Sequence, residues 1–252
     1  MATLYLTPNT LGLATPENVA AVLPAAAQKI IAALPYFVVE NAKTARAFLK
    51  ALNTNVLLAK PLQQIVMNEL NVNTPPQALS ALLKPLEEGF DVGLLSEAGV
   101  PAVADPGANL VKLAHQRGIK VVPLVGPSAI LLALMASGMN GQCFAFHGYL
   151  PQNSQSRATA IALLEKQSRA QQQTEILIET PYRNVATLQA LLQCCQADTW
   201  LCTATDLSLS TESITSRPIS AWRALPVETL EALHKRPTIF LFSVNPQYIM
   251  ST

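Results

Sequence analysis

Glu40 and Lys43 stand three residues apart where the apolar run Tyr36-Phe37-Val38-Val39 gives way to a helix-forming stretch. A carboxylate and an ammonium at a strand exit could take up a proton from an acceptor or orient it. A solvated helix start uses the same two residue types. Arg183, in Glu179-Thr180-Pro181-Tyr182-Arg183, either clamps an anionic ligand group or pairs with Glu179. Glu97 is different, because it lies between the end of an apolar run and Gly99, where a carboxylate has no capping duty. Asp105, before Pro106-Gly107, is either a helix cap or a catalytic acid, and Ser128, after Gly126-Pro127, is a cap or a ligand contact. His147 is either a packed, hydrogen-bonded loop residue or an acid–base group.

These residues are positioned by short apolar segments that alternate with helical ones. Leu4-Tyr5-Leu6, 36–39, Gln64-Ile65-Val66-Met67, Val92-Gly93-Leu94-Leu95 and Val121-Val122-Pro123-Leu124 read as strands. So do Phe144-Ala145-Phe146, Glu175-Ile176-Leu177-Ile178, Trp200-Leu201-Cys202-Thr203 and 238–242, with an edge-like strand around Ile214. Pro24, Gly89 and Gly118 punctuate the helices. The polar segment 167–173 lacks an apolar stripe and reads as an exposed loop. This alternation predicts an α/β protein with mostly parallel pairing, divided into domains 1–125 and 126–252. Ligands of open parallel sheets bind beyond the carboxyl ends of strands. Three such exits carry Gly- and Pro-rich turns: Thr7 to Gly12, Ser96 to Gly107 and Val125 to Ala129.

Composition narrows the classes. Half of the 252 residues are hydrophobic and 13% are charged, which predicts a compact globular chain. Net charge is +1, without the basic surplus usual in proteins that grip many phosphates, so composition offers no support for a basic face without excluding a local one. No apolar run reaches membrane-spanning length, and the first residues read as a strand rather than a secretory signal. Cys143, Cys194, Cys195 and Cys202 form no Cys-x-x-Cys pair and read as core thiols of a reducing, cytoplasmic compartment. His115, His147 and His234 do not fall at ligand spacing, so no metal is expected. The glycine fingerprints for dinucleotides and for P-loop phosphates are missing, as is the G-x-S-x-G nucleophile turn.

Leu4-Tyr5-Leu6-Thr7-Pro8, Leu95-Ser96-Glu97-Ala98-Gly99-Val100-Pro101, Asp105-Pro106-Gly107 and 123–129 occur in an order that resembles the tetrapyrrole methylase family of S-adenosylmethionine-dependent methyltransferases. Gly148-Tyr149-Leu150-Pro151, 179–183 and Ala204-Thr205-Asp206-Leu207 resemble segments of its ribosomal RNA 2′-O-ribose branch. The resemblance implies a two-domain α/β fold with S-adenosyl-L-methionine in the inter-domain cleft. It implies cofactor contacts at Leu11, Glu97, Val100, Ser128, Ala129, Tyr182, Ala204, Pro237 and Thr238. Glu40, Lys43 and Arg183 are then the candidates for acceptor chemistry, and a homodimer is expected. Tyr182 contacts the cofactor or closes the core. The acceptor is either an RNA ribose or a small tetrapyrrole-like molecule. Asn41, Ala42, Lys43 and the run Gln152 to Ser156 depart from that branch in acidic and basic residues. Those departures leave open a cofactor-binding protein whose acceptor chemistry is lost.

Overall fold

The computed structural model describes residues 2–244, so Met1, read with the first strand, lies outside the described residues. Internal contacts divide the chain after Ser128 into two units.

The first unit runs β1 (Thr3–Thr7), α1 (Pro16–Val22), α2 (Ala25–Ala33), β2 (Tyr36–Val39), α3 (Ala42–Asn55) and β3 (Val66–Glu69). It continues with α4 (Leu79–Leu82), α5 (Lys84–Glu87), β4 (Val92–Leu95), α6 (Gly107–Gln116) and β5 (Lys120–Pro123). Its strands form one sheet in the order β3-β2-β4-β1-β5, parallel at every pairing. The pleat explains the composition of the strands. Phe37 and Val39 pack on one face with Ile31, Phe48, Leu49 and Leu52, while Val38 faces Leu83, Leu86 and Leu110 on the other. A sheet covered by helices on both faces needs apolar residues at successive positions, and Val92 to Leu95 are all buried.

The expected strand at 64–67 begins two residues later. Leu62–Gln64 forms a single 3-10 turn, and pairing with β2 starts at Val66 and extends to Asn68 and Glu69. Those polar residues are tolerated because β3 is an edge strand with exposed ends.

The second unit holds α7 (Ala129–Ser137), β6 (Phe144–Phe146), α8 (Ser154–Gln171), β7 (Thr174–Ile178), α9 (Asn184–Cys194) and β8 (Trp200–Thr205). After these come β9 (Ser213–Pro218), α10 (Ile219–Arg223), α11 (Val227–Glu231) and β10 (Thr238–Ser243). Its sheet order is β6-β7-β10-β8-β9, and only β6 and β7 pair in parallel. The mostly parallel expectation therefore holds for the first sheet and not for the second. Residues 206–212 between β8 and β9 are too few for a crossover helix, and β10 inserts antiparallel to both neighbours. The strand around Ile214 does lie at an edge.

Of the loop expected at 167–173, residues 167–171 are instead the last turns of α8. Asn153 caps that helix by accepting from the Ser156 N–H at 3.0 Å. Ile161, Leu164, Glu165 and Ser168 form its buried stripe. Two of those four positions are polar, so no apolar periodicity marks the stripe. Glu165 is held by the Gln196 N–H and the Thr199 hydroxyl, and the Ser168 hydroxyl donates to the Gln173 carbonyl at 2.7 Å. Gln172, at φ 52°, closes the helix in the left-handed region.

The four cysteines are unpaired, and burial pushes the Cys202 thiol up to about 12 and the Cys195 thiol upward as well. Among the described residues no helix is long and apolar enough to cross a membrane, and no group of three or more His, Cys, Asp or Glu could hold a metal ion.

Gly93 tests the packing of the first sheet. A Cβ there would sit 2.6 Å from the Phe37 ring and 2.9 Å from a Leu34 methyl. Gly93→Ala is expected to lower the urea-unfolding free energy by about 1–3 kcal/mol through overpacking. An unchanged midpoint and slope would show that the ring moves aside freely.

Candidate functional site

The carboxyl ends of the first unit's parallel strands all release their loops on one side of the sheet, and β1 sits at a switch point between β4 and β5. Two of those loops are stitched together by backbone hydrogen bonds, and a third packs against them. The Asn9 N–H donates to the Gly99 carbonyl at 2.9 Å, and the Gly99 N–H returns to the Thr10 carbonyl at 3.2 Å. The buried Asn9 carboxamide donates to the carbonyls of Ser96 and Glu97, each at 3.1 Å. The Ser96 hydroxyl adds a 3.1 Å bond to the Gly99 carbonyl.

Gly99 is at φ +67°, and a Cβ on it would meet Leu11 and the Pro127 carbonyl at 3.0 Å. The left-handed backbone and the lack of space both require glycine there. A Cβ on Gly126 would lie 2.2 Å from the Pro8 side chain, so the third loop closes as tightly on the first. Leu11, Val100 and Ser128, each half-buried, therefore belong to loops that meet. Ala129 opens α7 as the first residue of the second unit.

Glu40 and Glu97 are brought into contact from different strands. The Glu97 N–H donates to a Glu40 carboxylate oxygen at 2.8 Å, and the Thr44 hydroxyl reaches the Glu97 carboxylate at 3.3 Å. Asp105 accepts from the Ala102 N–H at 2.8 Å and the Gly107 N–H at 2.7 Å; it holds the loop just ahead of α6, whose N-cap position is Pro106. Ala102 and Ala104 sit at φ 65° and 62°, strained for residues carrying a Cβ. Burial raises the Glu40 pKa, against the pull of the Glu97 N–H, and the charges of Asp105 and Glu97 raise it further. Burial also raises Asp105 despite its two N–H partners. Lys43 is exposed in the first turn of α3, which Asn41 caps by accepting from the Lys43 and Thr44 N–H groups.

The remaining candidates are in the second unit. Ala204 pairs with Ile239, and Thr238 with Thr205, across β8 and β10; Ala204 and Thr238 are buried. The Pro237 carbonyl accepts from the Asp206 N–H at 2.9 Å. Tyr182 is 73% exposed, so it does not close a core there. The Lys235 ammonium lies 6.0 Å from the centre of its ring. The Lys235 N–H donates to Pro181, which draws the 181–183 turn beside Pro237. Arg183 takes the paired alternative: its guanidinium lies 3.0 Å from Glu179 and also donates to the Leu150 carbonyl. His147 meets the fully buried Glu175 at 2.5 Å, the hydrogen-bonded loop alternative.

Asn9, Thr44 and Asn184 were not singled out from the sequence. Asn9 carried a usable signal, a carboxamide inside a strand-exit turn. Asn184, which donates to the Leu233 and Arg236 carbonyls and to the Thr238 hydroxyl, carried none, because its partners are about 50 residues away in the chain.

No family model matches the chain. Ribosomal RNA small subunit methyltransferase I of Vibrio cholerae serotype O1 is 35% identical over 151 residues, covering 60% of this chain and 51% of that protein. The protein of the same name from Mesorhizobium japonicum is 42% identical over 112 residues, covering 44% and 37%. The chain thus spans about half the length of the curated relatives it matches. Among solved structures, the methyltransferase CobJ aligns with a TM-score of 0.57 at 16% identity, covering 96% of this chain and 93% of that one. Uroporphyrin-III-C-methyltransferase from Thermus thermophilus aligns with a TM-score of 0.56 at 16% identity, covering 97% and 95%.

The raised Glu40 carboxyl gives a direct test. Its folded-state pKa lies above the unfolded value, so the folded protein holds more protons in that window and stability falls as pH rises through it. Glu40→Gln keeps an acceptor for the Glu97 N–H and removes the charge. It is expected to melt about 1–3 °C above the parent at pH 7. The gap should close below the ordinary glutamate pKa of about 4.3. A gap independent of pH in thermal scans would rule out the electrostatic cause. The chain has the α/β fold of the tetrapyrrole methyltransferases and is similar in sequence, over 60% of its length, to ribosomal RNA small subunit methyltransferase I.

Proposed function

We propose that this chain is an S-adenosyl-L-methionine-dependent methyltransferase whose acceptor is an RNA ribose hydroxyl. The observation that carries the reading is the stitched set of strand-exit loops around Gly99, which presents Leu11, Val100 and Ser128 beside an acidic group of Glu40, Glu97 and Asp105. Those acids fit the cofactor. Their mutual repulsion and partial burial would be relieved by a sulfonium and an ammonium, which are both cationic. The relatives named as RNA methyltransferases favour RNA over a small tetrapyrrole-like acceptor.

The bound cofactor supplies an already electrophilic methyl carbon, so the protein's work is chiefly to orient. Fixed geometry of that kind supplies up to about 7–11 kcal/mol in favourable systems. Leu11 and Val100 exclude water, and the Gly99 backbone permits close approach. Glu40, whose pKa is raised, is the group suited to accept the hydroxyl proton, since a base works best when its pKa approaches the working pH. Lys43, exposed at the start of α3, faces anionic acceptor groups. Arg183, tied to Glu179, holds the 179–183 turn that carries Tyr182. The family resemblance would add Ala204, Pro237 and Thr238 as cofactor contacts, and Ala129 opens the helix after Ser128. A cytoplasmic homodimer completes this reading.

A second reading, a cofactor-binding protein without turnover, is favoured by Asn41. Its carboxamide is occupied in capping α3 next to Glu40. Turnover on small-subunit ribosomal RNA separates the two readings.

Calorimetry with S-adenosylmethionine and S-adenosylhomocysteine tests the cofactor directly. Micromolar binding is expected for the parent chain, and Val100→Trp and Ser128→Trp, with folding checked by circular dichroism, should abolish it. No heat at millimolar cofactor would sink the methyltransferase reading.

A further inference from the structure

We infer that the groove between α6 and the loop following β3 binds one nucleotide of the acceptor RNA, a proposal that rests on the RNA methyltransferase reading. The groove lies within the first unit and encloses about 590 Å³, the scale of a small-ligand site. One wall is α6, where Asn109, Lys112 and Gln116 share a face by helical spacing. Among the described residues none of these three side chains has a hydrogen-bond or ion-pair partner. The opposite wall is mixed: Val72, Pro76 and Leu79 give it apolar surface, and Asn71, Thr74 and Ser80 line it as well.

No carboxylate lines the groove, in contrast to the strand-exit loops that hold Glu40, Glu97 and Asp105. Its rim is fixed by Arg117, whose guanidinium donates to the Ser80 hydroxyl at 2.6 Å while it pairs with Glu87. An unpaired ammonium suits a phosphate. Two free carboxamides, each both donor and acceptor, suit a base edge, and the apolar patch suits a base face. Pro106 joins the two regions, since it lines the groove and directly follows Asp105. A single-stranded segment seated here would therefore run toward the strand-exit loops.

The test is fluorescence anisotropy of the full chain with a labelled single-stranded RNA tetramer at several salt concentrations, with calorimetry of S-adenosylmethionine on the same variants. Lys112→Ala should weaken RNA binding about five- to tenfold and reduce the log–log salt slope by about 0.7, the value for one phosphate contact on a single strand. Asn109→Ala should weaken binding and leave the slope unchanged. Lys120→Ala, on exposed β5, should alter neither quantity, and all three variants should keep parental cofactor affinity. Equal effects of Lys112→Ala and Lys120→Ala, unchanged RNA affinity in Lys112→Ala, or competition by inorganic phosphate as effective as by a mononucleotide would overturn the groove assignment. So would absence of RNA binding by a parent chain that binds cofactor. If the parent binds RNA through Lys112 but takes no cofactor, the groove stands and the methyltransferase reading falls.

Discussion

The close approach of backbone at Gly99 is the constraint on which the candidate site depends. Two reciprocal N–H to carbonyl bonds join it to Asn9 and Thr10, and its α-carbon leaves no space for a side chain against Leu11 and Pro127. The approach is possible because β1 and β4 are adjacent and in register, with Leu6 opposite Leu94 and Thr7 opposite Leu95. Both strands end level, and their loops meet within one or two residues. The Thr7 hydroxyl reinforces the pairing with a 2.7 Å bond to the Leu94 carbonyl. A shift of register would carry Asn9 away from Ser96 and Glu97 and leave its buried carboxamide without acceptors, at about 1–3 kcal/mol.

Charge is handled differently in the two units. In the second, Glu175 meets His147, Glu179 meets Arg183 and Asp206 meets Arg236, while the buried Glu165 is held by the Gln196 N–H and the Thr199 hydroxyl. In the first, Glu40 and Asp105 accept from backbone N–H groups, Glu97 accepts from the Thr44 hydroxyl, and Glu40 and Asp105 have raised pKa values. Nothing in the chemistry of folding favours such an arrangement over an ion pair. Unrelieved like charge at the end of a parallel sheet, beside two alanines held at positive φ, is the kind of local cost that persists at binding and catalytic sites.

Much of this was legible in the sequence, and the failures share a cause. The strands of the first unit announce themselves because a sheet buried on both faces must be apolar throughout, as at Val92 to Leu95. The turns at Gly99 and Gly126 were legible because close approach and positive φ are written in residue type. The end of α8 was not, since Glu165 and Ser168 occupy its buried stripe and find partners far along the chain, at Thr199 and Gln173. Strand direction in the second sheet was hidden too. The alternation of strand and helix is the same whether a strand inserts parallel or antiparallel, and β10 enters between two strands that precede it. Among site residues, the acids at strand exits stood out by type, whereas their mutual contact depended on β2 and β4 being neighbours, which no local pattern records.

The choice of acceptor has to come from outside the stitched loops. Solved tetrapyrrole methyltransferases and ribosomal RNA methyltransferase relatives both resemble this one chain, so the shared fold does not discriminate between a macrocycle and a nucleic acid. A net charge of +1 offers no support for a surface that holds RNA by many phosphates at once. Recognition would then rely on a few well-placed donors and on shape, for which concave surface is needed. The α6 groove would supply that surface with one cation, two free carboxamides and the apolar patch of Val72, Pro76 and Leu79, and the acid-rich loops next to it would repel phosphate. With RNA as the acceptor, attraction in the groove and repulsion at the loops would act in the same direction: they would keep the phosphodiester away from the acids and leave the neutral ribose as the part that can approach them.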